Sequence, residues 1–99
     1  MARKETVDVP QNTVVELTNA DVSGAISIQI VSGSFARVIG TTDATTPALS
    51  DFEKGFIMRQ LDGPPFGTTL ADMFPGAGYV RLWALSPSLS GCIFVVYHG

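Results

Sequence analysis

The chain has 99 residues, with nine acidic and six basic side chains and a net charge of −3. That length allows one domain with one modest core. The six cations (Arg3, Lys4, Arg37, Lys54, Arg59 and Arg81) are scattered, which excludes a basic stripe for direct nucleic-acid binding, and a single cysteine excludes an internal disulfide.

The charged fraction is 15%, against ~25% for an average soluble protein. Mean hydropathy is +0.29, yet no apolar run approaches the ~18 residues of a membrane helix. A water-soluble chain with so few charges is expected to cover part of its surface with other protein, as an oligomer or a component of an assembly. A monomer with a bland Ser/Thr/Gly surface is the alternative. The charged opening Met1-Ala2-Arg3-Lys4-Glu5 leads into no apolar stretch, so no secretory signal is expected. Synthesis in a reducing cytoplasm fits the lone thiol.

Taken in chain order, residues 6–10 form a short alternating segment ended by Pro10. Proline has no N–H for a ladder, so this end belongs at an edge. Residues 13–18 read as a strand with Val15 and Leu17 on one face. Residues 25–31 are the cleanest strand: Ile26, Ile28 and Ile30 share one face, Ser27 and Gln29 the other. Ser32-Gly33 is the right length for a tight hairpin turn, which pairs this strand antiparallel to residues 34–39. Residues 40–54 make a connection long enough to carry function or to cross between sheets. Residues 55–61 form a further strand, and Asp62-Gly63-Pro64-Pro65-Phe66-Gly67 is the strongest turn signal. Residues 68–74 fit a short strand or a single helical turn. Pro75-Gly76-Ala77-Gly78 is a loop before the strand 79–85, and the last strand, 92–97, is expected to form a hairpin with it. Cys92 to Tyr97 are apolar on both faces. That suits a central strand or one covered by a neighbouring subunit. The fold class is therefore all-β: one small antiparallel β-sandwich or jelly-roll-like domain, residues 1–99, of about six to eight strands. Residues 1–5 are a candidate flexible arm.

Residues with the chemistry of catalysis are sparse. His98, the sole histidine, is expected to be solvated near the end of the chain, and with one His and one Cys no zinc site of the usual spacing exists. Cys92 has no histidine to activate it and reads as a small buried hydrophobe. Asp51 and Glu53, two apart in the long connection, fit a solvated acidic loop better than a glycosidase pair or, with Asp43, a calcium site. No catalytic residue, metal ligand or cofactor is expected, and the chain is not expected to be an enzyme. What remains is a strip of Tyr79, Arg81 and Trp83 on one side of the strand 79–85. If Val80, Leu82 and Ala84 face the core, this strip points outward, with residue types common in binding hot spots and sugar platforms. In the reverse facing, Trp83 lies in the core. Phe94 and Val96 on the last strand, and Arg3 and Lys4 on the arm, complete the expected partner contacts.

The order Val14-Val15-Glu16-Leu17-Thr18-Asn19, Ile26-Ser27-Ile28-Gln29-Ile30, Val38-Ile39-Gly40-Thr41-Thr42, Pro75-Gly76-Ala77-Gly78, Val80-Arg81-Leu82-Trp83-Ala84 and Phe94-Val95-Val96-Tyr97 resembles the small β-sandwich virion proteins of tailed bacteriophages, especially head decoration (cement) proteins. It spans most of the chain through soft motifs, the sharpest being Leu82-Trp83-Ala84. The resemblance implies a β-sandwich, commonly a homotrimer, made in the host cytoplasm and mounted on a virion. Its partner is then the major capsid protein or another virion protein, with no direct nucleic-acid contact, no membrane and no catalytic residues. Related proteins form tail structures or the bases of spikes and fibres. A carbohydrate-binding adsorption module using Tyr79, Trp83 and the long connection is the reading from a different class.

Overall fold

The computed structural model describes residues 3–18, 21–22, 24–33, 35–59, 69–70, 74, 76–87 and 91–98, leaving aside the side chains of residues 3–5, 54 and 56. The turn expected at 62–67 lies outside the described residues. Alternation of apolar and polar residues produces strands, as the period of two requires. They are β1 (Arg3–Val9), β2 (Val15–Glu16), β3 (Ile26–Ser32), β4 (Phe35–Thr41), β5 (Phe56–Arg59), β6 (Arg81–Leu85) and β7 (Cys92–His98), with a 3-10 helix at Leu49–Lys54.

The strands form two antiparallel sheets, one of order β1-β7-β3 and one of order β2-β6-β4-β5. The apolar rows meet between them. Val7 and Val9 from β1, Ile26, Ile28 and Ile30 from β3, and Phe94 and Val96 from β7 are buried in one cluster with Ala36, Val38, Met58, Leu82 and Ala84 of the other sheet. The fold is all-β and sandwich-like. β7 takes the middle of its sheet, between β1 and β3.

Both expected hairpins are absent. β3 pairs with β7 and β4 with β5 and β6, so the chain passes from one sheet to the other between Ser32 and Phe35. β6 and β7 also lie in different sheets. The reason is the apolar rows: Ile26, Ile28 and Ile30 need cover from above, and Ala36 and Val38 supply it across the core. Gly33 makes the crossing possible. Its φ is 98°, and a Cβ there would run into the Gly91 carbonyl and Cys92 Sγ. A register shift between Ile30 and Ser32 bends the end of β3 into this corner.

The candidate arm is also different. Strand β1 begins at Arg3, and Arg3, Lys4 and Glu5 stand opposite His98, Tyr97 and Val96 of β7. Its edge position agrees with Pro10. At residues 69–74, Thr69 bridges Ala25 and the Phe74 N–H donates to the Leu70 carbonyl at 2.9 Å, a bond of helical spacing.

Candidate functional site

Strand β6 settles which side of the 79–85 segment faces the core. Leu82 and Ala84 are buried in the core cluster, so Arg81, Trp83 and Leu85 point to the outer side of the sheet. Trp83 is nevertheless only 5% exposed. The connection after β4 covers it: the 3-10 helix packs on β4 and β6, and its Phe52 is fully buried outside the main core cluster. The Trp83 Nε1–H donates to Thr41 Oγ1 at 2.8 Å, and the Thr41 hydroxyl donates to the Asp43 carbonyl at 2.8 Å. Buried and bonded in this way, Trp83 presents no ring to a sugar or a partner.

Arg81 is held within the chain. Its Nη1 lies 2.9 Å from Glu16 Oε2 and its Nε 2.9 Å from Asp21 Oδ1. The hydrogen bond to Asp21, then that to Glu16, raises the guanidinium pKa above its ordinary value, so the group keeps its charge at every relevant pH. Glu16 Oε2 also accepts from the Thr18 hydroxyl, whose oxygen in turn accepts from the Leu82 N–H. Together these groups fasten Glu16, Thr18 and Asp21 to β6.

Phe94 and Val96 are corrected outright: both are fully buried between the sheets. His98, on the same side of β7, is 6% exposed rather than solvated, because that row points inward. Arg3 and Lys4 are placed by their register in β1. Cys92 is buried as expected, and its thiol sits 3.2 Å from Ser86 Oγ and donates to the Phe35 carbonyl at 3.1 Å. Asp51 and Glu53 are exposed, and Asp51 Oδ2 accepts from the Ala48 N–H at 3.0 Å, closing the first turn of the 3-10 helix.

The residues missed by sequence reasoning lie one step along β7. Ile93 and Val95 are half-buried and Tyr97 is 45% exposed on the outer side of the three-stranded sheet. They form an apolar stripe between polar neighbours: Asp8 and Ser32 flank Ile93, Thr6 and Gln29 flank Val95, and Ser27 lies beside Tyr97. Side-chain size is the signal that finds this stripe. Phe94 is the bulkiest side chain of the run without a polar group and belongs inside, which turns Ile93, Val95 and the hydroxyl-bearing Tyr97 outward.

Tyr79 lines a second feature, a cleft of about 330 Å3 beside β4 whose other walls include Ile39, Thr41, Pro47, Asp51 and Phe74. The Tyr79 ring lies directly against the Cα of Gly40, where a Cβ would collide with it. The Phe74 and Tyr79 rings form a T-shaped pair, with centroids 5.1 Å apart. Among the described residues no group of three or more His, Cys, Asp or Glu side chains is placed to hold a metal ion. No helix formed by them is long and apolar enough to cross a membrane. Comparison of the chain with family models, curated proteins and solved structures gives no match.

Proposed function

We propose that this chain is a non-enzymatic structural protein of a tailed-bacteriophage virion, a head decoration protein that binds the assembled capsid and stabilises it. The observation that carries the reading is the stripe of Ile93, Val95 and Tyr97, an apolar row on an outer sheet face with polar residues on both sides. A row of this kind, with a polar rim, is the anatomy of a protein–protein contact. The low charged fraction, 15%, and the resemblance in motif order support the same reading. In this role the stripe docks on the major capsid protein or another virion protein, and the chain acts as a homotrimer at junctions between capsid subunits.

The mechanism needs no reacting group. A protein that binds only the assembled shell lowers its free energy by mass action, so the shell's resistance to heat rises with the concentration of free protein. Purified chain added to expanded heads that lack it is expected to bind and to raise their melting temperature. Absence of binding, or binding with no gain in melting temperature, contradicts the proposal. A mass measurement in solution tests the trimer. A tail or spike-base role uses the same surface, and location on the particle separates it from the head.

A further inference from the structure

We infer that the cleft beside β4 receives a cationic side chain, a lysine ammonium or an arginine guanidinium carried by a protein partner. The cleft pairs aromatic rings with an open carboxylate. Tyr79 and Phe74 stand edge to face on one wall. Asp51 lies on the other, with Oδ2 bonded to the Ala48 N–H and no hydrogen bond to its second oxygen among the described residues. Arg81, whose backbone stands opposite Thr41, is drawn away by Glu16 and Asp21 and does not neutralise Asp51.

The polar atoms also discriminate between ligand classes. The Thr41 hydroxyl proton is already given to Asp43 and its oxygen already accepts from Trp83. Apart from the Tyr79 hydroxyl, which can donate or accept, the side chains of the cleft offer acceptors. Ammonium and guanidinium groups are donors only, which matches, whereas a sugar needs donors and acceptors in return. Aromatic rings beside a carboxylate bind such cations through the ring quadrupole and the charge together, and a net charge of −3 favours their approach.

This inference names what the cleft grips on a protein partner and rests on the structural reading only in making the partner a protein. Amide NMR of the intact chain tests it, with N-acetyl-arginine amide and N-acetyl-lysine amide as probes. N-acetyl-norleucine amide serves as the uncharged control, and N-acetylglucosamine and galactose as the sugar alternative. The cationic amides are expected to shift the Thr41, Gly55 and Tyr79 resonances saturably in the millimolar range, while norleucine and the sugars do not. Asp51→Asn keeps an oxygen for the Ala48 N–H and loses the charge, so it is expected to weaken binding about tenfold. Tyr79→Leu is expected to weaken it comparably. Equal shifts with norleucine, shifts with sugar alone, no saturable shift, or undiminished binding by a folded Asp51→Asn variant each overturn the inference. Head binding and the cleft titration fail independently, because the apolar stripe on β7 and the cleft beside β4 lie on different sheets.

Discussion

Trp83 shows how one residue can face away from the core and still be buried. Its place on β6 turns it to the outer side of the sheet, and the connection carrying Phe52 then closes over it. Its indole N–H has one partner, Thr41 Oγ1. Removing that oxygen leaves a buried donor unsatisfied, at a cost of about 1–3 kcal/mol. Thr41→Val is therefore expected to lower stability by about that amount and to change the emission of the sole tryptophan. Thr41→Ser, which keeps the oxygen, is expected to preserve the emission. Chemical denaturation followed by fluorescence checks both, and equal stability of the two variants would show that the bond contributes nothing. Arg81 follows the same logic: its Nε and Nη1 are taken by two carboxylates of the same chain, so its charge anchors Glu16 and Asp21 to β6.

At the scale of elements, the strands are legible and their pairing is not. A period of two reports which side chains share a face, and Ile26, Ile28, Ile30 and Met58 all lie where alternation puts them. It carries no information about which strand lies alongside. Ser32-Gly33 has the composition of a hairpin turn, and the same residues serve an arch between sheets, since positive φ at Gly33 is useful in either. Each facing weighed for Trp83 holds in part, outward yet buried, because its cover comes from the connection after β4, far along the chain and without periodicity. The arch makes a sharp demand on Gly33. Gly33→Ala must adopt a left-handed φ and push against Gly91 and Cys92, for about 2 kcal/mol or more. In a chain of this size that lowers the melting temperature by roughly 8 °C or more. A scan showing no loss would mean that the crossing is not built as described.

For the whole molecule, the two sheets differ in what they leave open. The four-stranded sheet is covered over Trp83 by the chain's own connection, while Ile57 on β5 and Leu49 on the 3-10 helix stay exposed. The three-stranded sheet shows Ile93, Val95 and Tyr97 on its outer side. The continuous row on β7 gives the proposed contact a location that can be tested. Apolar residues on both faces of the last strand pointed to β7, and the fold assigns Phe94 and Val96 to the core and their neighbours to the surface. The low charge of the chain does not mark one surface, so only the packed structure separates the two.

The central claim is that the outer stripe of β7 is the docking surface, and a substitution at Val95 tests it most directly. A lysine at this half-buried position can extend its head to water, so Val95→Lys is expected to change stability by less than about 1 kcal/mol. It also places a charge in the middle of the proposed contact. Binding to expanded heads that lack the protein should be measured for the wild-type chain and for Val95→Lys, with thermal melting of each confirming the fold. The expected result is a wild-type chain that binds and a folded variant that does not. A folded Val95→Lys chain that decorates heads as well as the wild type would contradict the assignment of this face.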